Sequence, residues 1–259
     1  MEEVNNMLYQ VLRDRFDRVY VLTLSNRPDR RELIERQLSE LGLPAPDTHE
    51  DGFIRYHYAT PFPFNGLIAD AFNKSGRGQF TKPNEYDCSR NHYSIVKMSY
   101  DLGFENILVL EDDILLLRNS FVMSQYISTI PEDYDICQMG GFTTDPRILK
   151  YMNNETVHWF KHKDVGLWNA STYALSRRGM EFYLTYMDKI KFWVADGPLY
   201  KAPLSERIIN TYASDIPLTI QADKRQMSSD IRDESNDSID YSTQNKYEEY
   251  VKQEDYFSL

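Results

Sequence analysis

Apolar residues along this chain fall into two patterns: stripes at helical spacing and short unbroken runs. Val4, Met7, Leu8, Val11 and Leu12 recur at helical spacing, which predicts an amphipathic helix over residues 3–15. Arg18-Val-Tyr-Val-Leu-Thr-Leu24 is rich in β-branched and aromatic residues and predicts a strand. Ser25-Asn26 offers a helix cap, and Pro28 suits a first turn. Leu33, Ile34, Leu38 and Leu41 then share one face before Gly42 stops the helix. Strand, turn and helix in this order open an α/β fold. Residues 55–59 predict a second strand, and the Pro- and Gly-bearing stretch 60–82 predicts a long excursion. A helix is expected over 84–102, with Cys88, His92, Ile95 and Ser99 on one stripe and Gly103 at its end.

The run Ile107-Leu-Val-Leu110 has the continuous apolar character of a strand buried on both faces. It leads straight into Glu111, Asp112 and Asp113, and Ile114 to Leu117 follow. Carboxylates buried in a core must be paired or metal-bound. The economical position for these three is the C-terminal edge of a parallel sheet, where open α/β sheets bind ligands. An oxygen-only cluster suits Mg²⁺ or Mn²⁺, and those ions suit a diphosphate. The plainer alternative is that the acids end a strand and face water.

Further along, 121–129 predicts a helix and 134–139 a buried strand that runs into Gly140-Gly141. The glycine pair would let a ligand approach the backbone, or simply form a turn. Residues 142–170 read as loops and short strands. Thr172 to Leu175 predicts a strand, and Ser176 caps a helix from Arg177 to about Met187. Residues 210–213 and 217–221 predict late short strands. After Met227 the chain turns acidic and poor in aliphatics, which predicts a mobile tail or an ordered extension over the surface. The domain plan is a helix over 1–16, an α/β domain over 17–227 and an acidic tail over 228–259.

Composition narrows the function classes. With 41% hydrophobic and 14% aromatic residues in 259, the chain can build one substantial core. A net charge of −11 argues against a nucleic-acid-binding surface, which should be basic. The two cysteines, Cys88 and Cys137, form neither a CxxC pair nor a zinc-finger spacing. The chain begins Met-Glu-Glu without a signal-peptide pattern and has no apolar stretch of membrane-span length. A cytoplasmic location is therefore expected, with no transmembrane segment; peripheral membrane contact is compatible with this.

Five segments together resemble glycosyltransferase family 25, the bacterial lipooligosaccharide and collagen galactosyltransferase group. They are Val19 to Arg31, Glu85 to His92, Leu108 to Asp113, Tyr173 to Gly179, and Gln221 with Ser229-Asp230-Ile231. The second segment departs from the family pattern: Asp87 stands where Gly is usual and Asn91 where Ser is usual. The resemblance implies a GT-A fold, a single Rossmann-like α/β domain with a mostly parallel central sheet. It also implies inverting, metal-dependent sugar transfer from a UDP-sugar, with galactose first and glucose next. Mn²⁺ or Mg²⁺ is the implied cofactor. The implied acceptor is a glycan under assembly or hydroxylysine. A different reading keeps the fold as a catalytically silent nucleotide-sugar-binding scaffold. A metal phosphohydrolase is disfavoured, because no His follows His162.

Roles then follow for individual residues. Alternate residues of an extended strand share a face, so Glu111 and Asp113 should point one way and Asp112 the other. Asp113 is the expected metal ligand, with Glu111 beside it. Glu111 or Asp112 would meet the ribose or a metal-bound water. Thr23, Leu24 and Ser25 lie at the first strand's C-terminal edge, where backbone groups could meet the base. Arg27, with Arg30 and Arg31, would contact the nucleotide or diphosphate, or else pair with Glu32 and Glu35. His92 is either a core imidazole or a diphosphate neighbour, and Cys88 a packed thiol. Asp196, between apolar residues and Gly-Pro, is the candidate general base, although it could equally cap a helix at Pro198. Asp145 and Asp164 are weaker candidates. Trp168 and Trp193 could stack on sugar faces.

Overall fold

The computed structural model describes residues 7–60, 83–140, 157, 159–161, 170–190, 197–199, 209–214, 216–222 and 257. Strand β1 (Arg18–Leu24) lies between β2 (Ile54–Ala59) and β3 (Asn106–Glu111), parallel to both. Next to β3, β7 (Thr172–Ser176) runs antiparallel, and it is antiparallel again to β5 (Ile136–Gln138) on its other side. Strand β8 (Thr211–Ser214) continues parallel to β5, and β6 (Trp159–Lys161) closes that edge antiparallel. Of the seven strands, all but β7 and β6 point the same way. This is the single, mostly parallel α/β sheet that was expected.

Side-chain alternation along the strands builds two cores. Val19, Val21, Leu108 and Leu110 face Leu33, Ile34 and Leu38 of α2 (Pro28–Glu40), with Tyr126 and Ile127 of α4 (Ser120–Ser128) in the same core. Tyr20, Leu22, Ile107 and Val109 face the other way. They meet Ile95 and Val96 of α3 (Pro83–Asp101) and Met180 and Tyr183 of α5 (Arg177–Ile190). Helix α1 (Met7–Arg15) buries Leu8, Tyr9 and Leu12 and packs against α4. Strands β1 and β3 are thus apolar on both faces, which explains their unbroken apolar runs.

The helix boundaries show where local signals held. Gly42 and Gly103 follow α2 and α3 with φ of 73° and 79°, a left-handed turn that glycine adopts without a Cβ penalty. The Ser176 hydroxyl accepts the Gly179 N–H at 3.1 Å and caps α5. A Cβ at Gly179 would stand 1.9 Å from the Asp135 carbonyl oxygen, so only glycine fits there. At the start of α2 the expectation fails: the cap is Arg27, without a side-chain bond, rather than Ser25-Asn26.

The apolar run after the acids does not extend β3. It forms β4 (Ile114–Leu116), which pairs with β9 (Thr219–Gln221) in a separate two-stranded sheet. The Phe257 N–H donates to the Leu116 carbonyl at 3.1 Å, and its ring is 7% exposed within the α2-side core. Most of 228–259 lies outside the described residues, but at Phe257 the tail is a packed element. A mobile tail would tolerate truncation after Met227. With Phe257 in the core, that truncation and Phe257→Ala should each lose about 3–5 kcal/mol in urea unfolding. An unchanged midpoint would show that the ring contributes nothing.

Candidate functional site

Parallel pairing brings the carboxyl ends of β1, β2 and β3 to one edge. Leu22 is in register with Glu111, Thr23 with Tyr58, and Leu24 with Ala59. Glu111, Asp112 and Asp113 therefore stand beside Thr23 and Leu24, at the edge where such sheets bind ligands.

Asp112 is 4% exposed and fully engaged by the protein. Its Oδ2 accepts from the Thr23 hydroxyl at 2.7 Å and the Leu24 N–H at 3.4 Å. Its Oδ1 accepts from Arg30 Nη1 at 3.0 Å. Burial pushes the Asp112 carboxyl above the usual carboxylate range, while Arg30 and Thr23 pull against that shift. Arg30 is itself only 5% exposed, so its charge serves the acids rather than solvent. Asp113 Oδ2 lies 3.9 Å from the same Arg30 nitrogen, with its side chain 22% exposed. The expected alternation holds for Glu111 and Asp112 but stops there, because β3 ends at Glu111 and the chain bends through Asp112 and Asp113. Asp113 thus shares the Arg30 guanidinium with Asp112.

Glu111 turns toward α3. Its Oε1 lies 3.1 Å from His92 Nε2 and 4.0 Å from Cys88 Sγ. His92 is completely buried, and its Nδ1 is 2.9 Å from the Tyr173 hydroxyl. Burial raises the Tyr173 phenol well above its ordinary value, so it stays protonated. His92 thus combines both expected environments: it is a core imidazole, and it touches the acidic edge.

The arginine-rich turn is built largely from its own contacts. Arg27 forks onto Asp29, with Nη2 to Oδ2 at 2.8 Å, and that guanidinium holds the Asp29 carboxyl below its usual value. Arg31 donates to the carbonyls of Leu24 at 2.6 Å and Ser25 at 3.2 Å, fixing the turn after β1. These arginines meet Asp29, Asp112 and backbone oxygens of the turn.

Two sequence oddities acquire structural accounts. Asn91, fully buried, accepts the Thr60 N–H at 3.0 Å and donates to the Thr60 carbonyl at 3.1 Å. It also donates to the Asp87 carbonyl at 2.7 Å, so the carboxamide clamps the end of β2 to α3. A Cβ at Gly140 would meet the Thr219 hydroxyl at 2.5 Å and the Ser171 hydroxyl at 2.7 Å. Side-chain packing, not ligand approach, accounts for that glycine. No disulfide joins Cys88 and Cys137.

Asp196 lies outside the described residues, as do Asp145, Asp164, Gly141, Trp168, Trp193 and Ser229 to Ile231. The contributions of Arg30, Tyr173 and Asn91 were missed. Arg30 carried a weak signal, as one of three arginines after a strand that ends beside acids. Tyr173 carried none, because β7 reaches β3 only through an antiparallel insertion.

Fold and edge together define a Rossmann-like α/β protein with an acidic margin at the carboxyl ends of β1 and β3. The model of Glycosyltransferase family 25 (LPS biosynthesis protein) matches residues 16–197, and the chain belongs to that family. It is by family a glycosyltransferase. Among solved structures, it is similar to a glycosyltransferase involved in the glycosylation of the major capsid of PBCV-1. That match has 10% identity and a TM-score of 0.41, covering 79% of this chain and 92% of the other. It is also similar to a mannose-1-phosphate geranyltransferase from Thermus thermophilus, with 11% identity, a TM-score of 0.38, and coverage of 79% and 74%. Mouse xyloside xylosyltransferase 1, in its apo form, matches with 10% identity and a TM-score of 0.37, over 73% and 82%. No curated protein matches the chain. Among the described residues, no helix is long and apolar enough to cross a membrane.

Proposed function

We propose that this chain transfers a sugar, galactose from UDP-galactose in the first instance, to a glycan or hydroxylysine acceptor with inversion. The observation that carries the reading is the acidic cluster at the carboxyl edge of β1 and β3, within a chain of this family. Thr23, Leu24 and Ser25 line the edge along which a nucleotide would lie. Asp112 serves by positioning: it ties Thr23, Leu24 and Arg30 into one rigid margin.

Asp113 is the residue that would hold Mn²⁺ or Mg²⁺. Its partly exposed carboxylate fits the habit of these hard cations, which take one or two protein carboxylates and complete their shell with phosphate oxygens and water. Such an ion supplies Lewis-acid stabilisation to a leaving diphosphate. Arg30, 3.9 Å from Asp113, offsets part of the carboxylate charge at the edge. Asp196 is the proposed general base, accepting the proton of the acceptor hydroxyl.

The silent-scaffold reading was motivated by Asp87 and Asn91. Asn91 has a structural role as a clamp between β2 and α3, which is compatible with an active enzyme. Purified protein, incubated with Mn²⁺ and a panel of UDP-sugars, is expected to release UDP, fastest from UDP-galactose. Tight donor binding without UDP release, with glycan and hydroxylysine acceptors present, would favour the scaffold. Preference for another UDP-sugar would correct the donor alone.

A further inference from the structure

Cys88 and His92 stand four residues apart on α3, so their side chains share one helix face. That face meets the end of β3, where Glu111 lies. The sulfur, the imidazole nitrogen and a carboxylate oxygen all fall within 4.8 Å of one another. A tetrahedral Zn²⁺ holds S at ~2.3 Å and N or O at ~2.0–2.2 Å, which places neighbouring donors roughly 3.3–3.7 Å apart. The observed separations of 3.1 Å for His92–Glu111 and 4.0 Å for Cys88–Glu111 bracket that spacing. We infer that Cys88, His92 and Glu111 form a binding site for a thiophilic divalent cation of the Zn²⁺ class. It is separate from the hard-cation position at Asp113, and it does not depend on the proposed reaction.

Three further observations support it. His92 carries the outer-shell partner that metal-bound histidines require: the Tyr173 hydroxyl lies 2.9 Å from Nδ1. With a cation on Nε2, the Nδ1–H donates to Tyr173 Oη and the ring is held by both nitrogens. Charge also balances, since a thiolate and a carboxylate offset a dication in a site whose imidazole is fully buried. Finally, Glu111 is spared by Arg30, which faces Asp112 and Asp113 instead. Among the described residues, three protein donors leave one tetrahedral position for water or a further ligand, and the Glu111 side chain is 18% exposed. The thiolate and imidazole select Zn²⁺ over Mn²⁺ or Mg²⁺, whose preference is for oxygen.

Full-length protein stripped with a chelator and titrated with Co²⁺ provides the test. One equivalent should bind with an intense tetrahedral visible spectrum and a thiolate-to-cobalt charge-transfer band, both bleached by Zn²⁺. Cys88→Ser, at a partly exposed position where the fold should survive, is expected to lose the charge-transfer band. Tyr173→Phe should weaken binding roughly 10–100-fold. Asp113→Ala should leave the band intact, which separates this site from the diphosphate-side cation. Absence of the band in wild-type protein at excess Co²⁺ overturns the proposal. So does a band that survives Cys88→Ser, or one lost in Asp113→Ala.

Discussion

Asp113→Asn is expected to lower turnover by about 10²–10³-fold, the scale on which removing one electrostatic stabiliser acts on a charged transition state. The replacement keeps the side chain's shape and removes its charge. Stability should change little, since the side chain is partly exposed and Arg30 keeps its 3.0 Å bond to Asp112. Steady-state kinetics with the best UDP-sugar and a range of Mn²⁺ concentrations, paired with a thermal melt, separate the two effects. A fall in kcat that excess Mn²⁺ partly recovers supports a role in holding the cation. Turnover near that of the unmodified protein removes Asp113 from the chemistry.

The second large effect concerns stability. Asp112→Ala should cost about 3–5 kcal/mol, because it strands a guanidinium that is 5% exposed. Asp113, 3.9 Å away, gives partial compensation and moves the expectation toward the lower end of that range. Replacing both partners, as in Arg30→Met with Asp112→Leu, should recover most of the loss, because no charge is left buried. The raised carboxyl of Asp112 points the same way: desolvation outweighs the attraction of Arg30, so the pair is expensive to bury and worse to break. Urea unfolding of Arg30→Met, Asp112→Leu and the double variant, beside the unmodified protein, gives the coupling directly. A loss below about 1 kcal/mol for Asp112→Ala would mean that the pair is not structural. Asp112 would then be available to a ligand.

The margin was partly legible in advance, and the reasons are specific. Ile107 to Leu110 announced a doubly buried strand because both faces of β3 meet helices. Three acids after such a strand had to emerge at an edge or find partners, and both outcomes occurred. Asp113 emerged, Asp112 found Arg30, and Glu111 found His92. Alternation was the right rule for Glu111 and Asp112. It applies only as far as the strand, which ends at Glu111.

Local order was a property of the chain itself. The apolar stripes of α1, α2 and α5, the unbroken runs of β1 and β3, and the glycines after α2 and α3 each act within a few residues. The chain therefore carried them wherever it folded. The partners belong to tertiary structure. Arg30 meets Asp112 across 82 positions, His92 meets Tyr173 across 81, and Thr23 meets Asp112 across 89. No periodicity reaches that far. Those contacts exist because β1 and β3 lie side by side and β7 is threaded antiparallel against β3. Chain composition placed three acids at the end of one strand, and strand order alone decided which cation, ring or solvent each of them would face.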